Sequence, residues 1–224
     1  MSDGHIPQII TMLDGKRRAA LVIRHAERHQ IHSVLDSLGV GLTEKGKVDA
    51  MELGTRLPQF PYYRVFHSPA LRCRETAEGI AAGIRSNGGR VILIEEDASL
   101  CSPYVKDERC LIDADRLGDH FMREWLDGRI DQDWIHSAES STVLVLGPVM
   151  ERMLEGGEHL DVHVSHDWDI MLIRETILGI RHEDEGWLHC LNGMVFYPNG
   201  RGYEAVYAGR RKAFDIDGSS ILRE

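Results

Sequence analysis

The sequence predicts an α/β fold: a layered sandwich with a largely parallel central sheet flanked by helices, and a C-terminal antiparallel hairpin. Two observations support this prediction. Short apolar runs, typical of buried strands, alternate along the chain with longer segments of helical periodicity. Near the C-terminus, two further apolar runs flank a turn-forming sequence, which indicates a hairpin.

The strands of the parallel part are predicted from short apolar runs. These runs are Ala19–Ile23, Arg64–Phe66, Val91–Ile94 and Asp161–Val164. The hairpin is predicted from Met194–Tyr197 and Tyr203–Tyr207, which flank Pro198-Asn199-Gly200-Arg201-Gly202. Gly and Asn favour a tight turn between two strands.

Helices are predicted between the strands. Thr43 is a suitable N-cap for a helix that runs to about Leu57, with Val48, Met51 and Leu53 on its apolar side. Pro69 suits the start of the next helix, which runs to about Arg85. Three further helices are predicted over Asp113–Leu126, Ser140–Leu154 and Asp169–Leu178.

Length and charge limit the possible functions. The 224 residues suit a single domain, residues 1–224, and the composition of 42% hydrophobic and 28% charged residues is that of a globular protein. A formal net charge of -10 disfavours nucleic acid and anionic membranes as partners. An anionic substrate must therefore be bound by a local basic pocket.

The cysteines and the N-terminus predict a cytoplasmic protein. Cys73, Cys101, Cys110 and Cys190 form no C-x-x-C pair and are expected to be reduced thiols. Residues Met1–Gly15 contain no basic segment followed by an apolar run, so no signal peptide is predicted. No stretch approaches the roughly 20 apolar residues that a membrane helix needs.

Polar residues that suit catalysis follow three of the predicted strands. Arg24, His25 and Arg28 follow the first strand, Arg72 lies just beyond the second, and His166 follows the late strand. In open α/β sheets, ligands bind beyond the carboxyl ends of the strands. The guanidinium group of arginine binds phosphate oxygens through parallel hydrogen bonds, so these residues predict an oxyanion site.

Each of these features has an ordinary explanation when it is taken alone. Most Arg-His pairs after a strand lie in surface turns, and Asp167 after His166 could simply cap the next helix. The occurrence of such residues at three strand ends together favours a functional site.

Four segments resemble a known family. Arg24-His25-Ala26 resembles the Arg-His-Gly signature of the histidine phosphatase, or phosphoglycerate-mutase-like, superfamily. Leu42-Thr43-Glu44-Lys45-Gly46 is similar to its Leu-Thr-x-x-Gly segment. Ser68-Pro69-Ala70-Leu71-Arg72 with Thr76-Ala77 resembles its Ser-Pro-x-x-Arg…Thr-Ala element, and Val164-Ser165-His166 resembles the segment with its second histidine. The matches occur in family order.

The site residues resemble the acid phosphatase branch of that superfamily, whose signature is Arg-His-Gly-x-Arg-x-Pro with a later His-Asp. Arg28 and Asp167 match this signature, whereas Ala26 and Gln30 depart from it. The stretch between Arg72 and His166 is also too short for the large helical insertion of that branch. The resemblance therefore implies a small-domain enzyme with acid-phosphatase-like site residues.

The resemblance implies a phosphomonoester hydrolase. His25 would be the nucleophile that forms a phosphohistidine, and Arg24, Arg28, Arg72 and His166 would stabilise the phosphoryl oxygens. These cationic groups would replace a metal, so no metal or other cofactor is expected. The partner would be a small phosphorylated substrate.

The proton donor to the leaving group is open at this stage. Asp167 is the first candidate, and Glu95 and Glu96 are alternatives because they follow the strand that ends at Ile94. Such a donor needs a raised pKa.

Three other functions remain alternatives. A phosphomutase on the same site would return the phosphoryl group to a second hydroxyl. A metal-dependent hydrolase could use the pairs His29/His32 and His163/His166. A non-catalytic module could bind phosphate without turnover.

Overall fold

The computed structural model describes residues 5–200, 202–217 and 220–223. Its eight-stranded sheet has the strand order β3-β2-β4-β1-β5-β6-β7-β8. The first four strands in the chain run parallel to one another, and β5 to β8 add an antiparallel part that begins with the pairing of β5 and β1. The strands are β1 Ala19–Arg24, β2 Tyr63–His67, β3 Val91–Glu96, β4 Leu160–Ser165, β5 Gly193–Asn199, β6 Gly202–Tyr207, β7 Arg210–Asp217 and β8 Ser220–Arg223.

Helices cover both faces of the sheet. They are α1 His5–Leu13, α2 Glu44–Arg56, α3 Leu71–Ser86, α4 Arg109–Leu117, α5 Phe121–Leu126, α6 Ala138–Leu154, α7 Asp167–Leu178 and α8 His182–Glu185. Alternate residues of β1 belong to two different hydrophobic clusters: Leu21 packs with α1, α2 and α3, and Val22 packs with α5, α6 and α7. This alternation follows from the two-residue period of a strand.

The fold class predicted from the sequence is confirmed. The four parallel strands and the predicted hairpin, formed by β5 and β6, are all present. Arg201 of the predicted turn lies outside the described residues. The antiparallel part is larger than predicted because β7 and β8 extend it.

Two details of the helix prediction are wrong. The predicted helix Asp113–Leu126 is divided into α4 and α5 by a break at Gly118, whose φ of 53° is left-handed. Val48 and Met51, predicted on the buried side of α2, are 65% and 45% exposed. The buried side of α2 instead contains Gly46, Ala50, Leu53 and Gly54, and a Cβ added at Gly54 would lie 2.1 Å from the carbonyl oxygen of Ile80 in α3.

The predicted cap of α2 is present. The side chain of Thr43 accepts a hydrogen bond of 3.0 Å from the backbone N–H of Gly46. Such a cap satisfies one of the free N–H groups in the first turn of a helix. Among the described residues, no helix is both long and apolar enough to cross a bilayer.

Candidate active site

The carboxyl ends of β2, β4 and β1 lie side by side at one edge of the sheet, because these strands are adjacent and parallel. Hydrogen bonds continue the pairing beyond the strands. The N–H of His25 donates to the carbonyl of Ser165, and the N–H of Ser68 donates to that of Val164, each at 3.0 Å. The topology therefore brings the three predicted strand ends together.

His25 is buried and held in one tautomer. Its side chain lies at the end of β1 with 2% of the residue exposed, and its Nδ1 is 2.7 Å from the carbonyl oxygen of Ala26. A carbonyl can only accept, so Nδ1 carries the proton and Nε2 keeps its lone pair. Burial, and then the charges of His166, Arg72 and Arg24, hold the pKa of His25 well below 6.5, against a smaller opposing effect of the Ala26 carbonyl.

His166 is also neutral, and its tautomer is the opposite one. Its Nδ1 is 3.1 Å from Nη2 of Arg72, which can only donate, so Nδ1 is unprotonated. Its Nε2 therefore carries the proton and donates to Oγ of Ser68 at 2.9 Å. Burial and the neighbouring Arg72 lower the pKa of His166 to about 3. The rings of His25 and His166 are 5.8 Å apart between centroids.

Three arginines surround the two histidines. Burial lowers the pKa of Arg28, and Arg72 and Arg24 lower it further, as is typical of cations that lie near one another. The Nη1 of Arg72 donates to the carbonyl of Ser37 at 2.5 Å, and the Nη1 of Arg28 donates to that of His29 at 2.9 Å.

Two of these arginines have unused donors. Within the described part of the chain, the Nε atoms of Arg24 and Arg72 are buried and lack a hydrogen-bond partner. Unsatisfied buried donors are rare in folded proteins. An anion bound between these side chains would satisfy them.

Asp167 is the first residue of α7 and pairs with Arg24. Its Oδ2 is 2.9 Å from Nη2 of Arg24 and accepts a hydrogen bond from Nε1 of Trp187 at 2.9 Å. Burial raises the pKa of Asp167, but Arg24 and Trp187 outweigh burial, and the net pKa is below 3.8. The carboxyl group is therefore ionised in the free site. A proton donor needs a raised pKa, whereas the pKa of Asp167 is lowered.

Glu95 and Glu96 lie at the end of β3, the edge strand of the sheet. They pair with Phe66 and His67 of β2, and both are exposed. Since β2 and β4 separate β3 from β1, their backbone lies roughly 14 Å from the strand that carries His25, at about 4.8 Å per strand. Because they are consecutive residues of a strand, their side chains point to opposite faces of the sheet.

Several contacts of the site were not foreseen from the sequence. Ser68 belongs to a quoted motif, but its hydrogen bond to His166 depends on the register of β2 against β4. The Sγ of Cys73 lies 3.8 Å from Nε2 of His166. Trp187 reaches Asp167 from the segment before β5, and no local pattern indicates this.

The histidine pairs proposed as metal ligands do not share a site with a third ligand among the described residues. His163 is buried with its ring stacked on Phe66 at 4.9 Å, whereas His166 contacts Arg72. Within the described ranges, the cluster of ligand-type residues compact enough for an ion is Glu175, His182 and Glu183. Both of these carboxylates already accept two hydrogen bonds from Arg123.

Comparison with known proteins finds a family model that matches part of the chain. A model of the histidine phosphatase superfamily (branch 1) matches residues 20–98, which include Arg24, His25, Arg28 and Arg72. A comparison with curated protein sequences finds no match.

Solved structures share the fold. YhfR of Bacillus stearothermophilus has a TM-score of 0.58 at 19% identity, over 89% of this chain and 98% of that one. A phosphoglycerate mutase of Bacillus anthracis has a TM-score of 0.53 at 16% identity, over 92% and 95% of the two chains. A mycobacterial glucosyl-3-phosphoglycerate phosphatase has a TM-score of 0.53 at 17% identity, over 88% and 96%.

The family model over residues 20–98 confirms the resemblance of this part of the chain to the histidine phosphatase superfamily, and the solved structures share the fold. The structural neighbours of the chain include both phosphatases and mutases. The matching model is that of branch 1, so the likeness of Arg28 and Asp167 to the acid phosphatase branch is not confirmed and stays a prediction.

Proposed function

We propose that this protein hydrolyses small phosphate monoesters through a phosphohistidine on His25. The observation that carries the proposal is the state of His25: it is buried, neutral and protonated on Nδ1, so its Nε2 lone pair is available for attack. The unused Nε donors of Arg24 and Arg72 lie beside it and suit a phosphate group.

The first step transfers the phosphoryl group. Phosphate oxygens bind Arg24, Arg28 and Arg72, which stabilise the charge of the transition state. Nε2 of His25 forms a bond to phosphorus while the bond to the leaving oxygen breaks, and that oxygen takes a proton from a carboxylic acid. In the second step, water attacks the phosphohistidine, gives its proton to the same carboxylate, and releases inorganic phosphate and free His25.

We propose Asp167 as this acid, with its proton acquired when substrate binds. A phosphate group that takes over Arg24 would remove the cation that keeps Asp167 ionised and would place a negative charge nearby. Both changes raise the pKa of a carboxyl group. Glu95 and Glu96 stay alternatives, because they are exposed at the same edge of the sheet.

The leaving group tests the proton donor. If Asp167 is the acid, Asp167→Asn should slow hydrolysis of an alkyl phosphate by about 100-fold or more, the usual contribution of general acid catalysis. It should have little effect on p-nitrophenyl phosphate, whose leaving group departs without a proton. The matched control is the double variant Glu95→Gln/Glu96→Gln, which should not change the ratio of the two rates. A selective effect in the control instead would assign the role to the glutamates.

Trapping of the phosphoenzyme tests the nucleophile. Brief reaction with a ³²P-labelled substrate and an alkaline quench should give a phosphoenzyme that is stable in base and labile in acid, as phosphohistidine is. The His25→Ala variant should retain no label. Equal labelling of parent and variant would rule out His25.

The same reaction distinguishes the alternatives. A phosphomutase would return the label to a hydroxyl of a second sugar phosphate rather than to water, whereas a phosphatase would release inorganic phosphate. We also propose that turnover is independent of metal, since the three arginines supply the charge that a cation supplies elsewhere. Activity should then persist after exhaustive treatment with EDTA, and loss with recovery in zinc or manganese would favour the metal-dependent hydrolase.

The compartment is proposed to be the cytoplasm. All four cysteines are free thiols in the structure, which supports a reducing environment.

A further inference from the structure

A buried carboxyl group that the proposed reaction does not use lies one helical turn from the phosphate pocket. Asp169, in the first turn of α7, is fully buried. Its Oδ1 accepts a hydrogen bond of 2.7 Å from Oη of Tyr104, and its Oδ2 is hydrogen-bonded to Oγ of Ser165. The same Oγ lies 3.2 Å from the carbonyl oxygen of Leu100.

The protons in this network can be counted. The hydroxyl of Ser165 has one proton, but it faces two groups, the carbonyl of Leu100 and the carboxyl of Asp169. A carbonyl can only accept. Both contacts are satisfied together only when Asp169 is protonated and donates to Ser165, which then donates to Leu100. If Asp169 is ionised, Ser165 donates to Asp169 and the Leu100 carbonyl loses this partner.

Leu100 is the first residue of the segment Leu100–Lys106, in which Cys101 interacts with Ser68. Burial raises the pKa of the next residue, Cys101, and a hydrogen bond with Ser68 opposes this effect. The Oγ of Ser68 accepts the hydrogen bond of 2.9 Å that Nε2 of His166 donates. The position of this segment therefore affects the surroundings of His166.

The far end of the segment is anchored to the hydrophobic core. The ring of Tyr104 is fully buried and packs on Trp125 with 4.5 Å between centroids. The carbonyl of Tyr104 accepts a hydrogen bond of 2.9 Å from the N–H of His136. Between these two ends, Ser102 has a left-handed φ of 50°, which is unfavourable for a residue with a side chain. Such a conformation persists only where its surroundings hold it.

We propose that Asp169 is a positioning residue of the site: with Tyr104 and Ser165, it fixes the segment Leu100–Lys106 against Ser68, the hydrogen-bond partner of His166. Its effect on catalysis rests on the proposed phosphatase function, whereas its effect on the position of the segment does not. Asp169 bonds to Tyr104 and Ser165 outside the pocket, whereas Asp167 pairs with Arg24 inside it.

The charge state of Asp169 supports this role. Burial raises the pKa of Asp169 to about 6, and the charge of Asp167 also raises it, against the hydrogen bonds from Ser165, Tyr104 and the backbone of His166. Below about pH 6 the carboxyl is therefore protonated and the Leu100 carbonyl has its partner. The titratable groups that face Asp169 are Asp167 on the same helix, His166 after β4, Cys73 on α3, and Cys101 and Tyr104 on the segment itself.

Three substitutions separate positioning from simple stability. Asp169→Asn keeps both hydrogen bonds, because its carbonyl accepts from Tyr104 and its NH₂ donates to Ser165, and it cannot ionise. It should retain kcat/KM within about three-fold, and it should lack the change in kcat/KM near pH 6 that titration of Asp169 is expected to cause in the parent. Asp169→Leu and Tyr104→Phe break the network and should each lower kcat/KM by about ten-fold or more, the effect of one lost hydrogen bond of about 1.4 kcal/mol. Tyr62→Phe is the matched control, since Tyr62 precedes β2 at the opposite edge of the sheet.

A second measurement does not depend on the reaction. The rate at which iodoacetamide alkylates Cys101, followed by peptide mass spectrometry, reports the position of the segment, and half-buried Cys190 serves as the internal reference. We expect Asp169→Leu and Tyr104→Phe to raise the Cys101 rate about ten-fold relative to Cys190, since one lost hydrogen bond permits local opening. Asp169→Asn should leave this ratio unchanged.

The two measurements can contradict the positioning role and the proposed function separately. If Cys101 reactivity is the same in Asp169→Leu as in the parent, or if Asp169→Asn behaves like Asp169→Leu, the positioning role is wrong. If Cys101 reactivity changes as expected but no variant, nor the parent, forms a phosphoenzyme, the proposed function is wrong and the positioning role stands.

Discussion

At the scale of single residues, the site is defined by partners that can only donate or only accept. The carbonyl of Ala26 requires a proton on Nδ1 of His25, and Arg72 requires an unprotonated Nδ1 on His166. The two histidines therefore hold opposite tautomers. Of the two, only His25 directs an unprotonated Nε2 away from its backbone contact, and this difference supports the proposal that His25 is the nucleophile.

The titration of His25 is the prediction at this scale. Because its pKa is held well below 6.5, the side chain should still be neutral at pH 6.5 and should take up a proton only at lower pH. Arg72→Gln removes a cation that lowers this pKa, so the pKa should rise towards the ordinary value. Arg74→Gln, an exposed position two residues further along α3, is the matched control and should have no effect. Nitrogen NMR of the labelled ring measures these values, and titration of the parent His25 at about 6.5 would contradict the prediction.

At the scale of elements, α2 packs closely against α3, the helix that carries Arg72 in its first turn. Glycines on both helices permit this approach. A Cβ added at Gly83 would lie 2.1 Å from the carbonyl oxygen of Met51, and one at Gly54 would lie 2.1 Å from that of Ile80. No side chain fits at these distances, so the two helix backbones are in direct contact.

The prediction for this element is that Gly83→Ala destabilises the protein. Replacement of glycine by alanine within a helix normally gains about 1 kcal/mol from helix propensity. Here the added methyl group meets backbone atoms, and overpacking of this kind costs roughly 1–3 kcal/mol or more. The neighbouring Ala82→Gly, at an exposed position of the same helix, isolates the propensity effect and should cost about 1 kcal/mol. Urea unfolding measures both changes, and a gain in the free energy of unfolding for Gly83→Ala would contradict the prediction.

At the scale of the whole molecule, the two hydrophobic clusters pack on opposite faces of one continuous sheet. This arrangement supports the proposal that residues 1–224 form a single domain. The same arrangement buries several histidines as neutral side chains. Burial lowers the pKa of His163 to about 4 and that of His166 to about 3. It also lowers the pKa of His25.

The corresponding prediction is a loss of stability in mild acid. Below pH 6.5 the unfolded chain protonates these three histidines while the folded chain does not, so the unfolded state binds more protons and stability falls as pH falls towards 4. Each histidine contributes at most about 1.4 kcal/mol per pH unit. Asp169, with a pKa of about 6, opposes this trend, because its folded form binds a proton between about pH 6 and 4 that the unfolded chain does not.

His163→Leu tests this prediction without touching the phosphate pocket. His163 has both ring nitrogens buried and without hydrogen-bond partners in the described part of the chain. Its loss should reduce the slope of the free energy of unfolding between pH 6 and 4 by up to about 1.4 kcal/mol per pH unit. His120→Gln is the control, since this side chain is exposed. An unchanged slope in His163→Leu would show that His163 is not the source of the acid sensitivity.

The sequence by itself determined the strands, their order along the chain and the residues that follow them. Apolar runs such as Leu21–Ile23 have a strong local preference for buried strands, and the topology of parallel strands then brings Arg24, His25, Arg72 and His166 to one edge. These features depend on residues that are neighbours in the chain, and the quoted motifs contain them.

Only the tertiary structure decided the properties that depend on contacts between distant segments. Val48 and Met51 are exposed because α3 covers the glycine side of α2, which helical periodicity does not show. Asp167 and Asp169 lie two residues apart and have pKa values shifted in opposite directions, since one faces Arg24 and Trp187 and the other is buried against Tyr104 and Ser165. The charge of a carboxyl group and the tautomer of a histidine are set by the atoms that surround them. Those atoms come from distant parts of the chain, 65 residues away for Tyr104 and Asp169 and 94 residues away for Arg72 and His166.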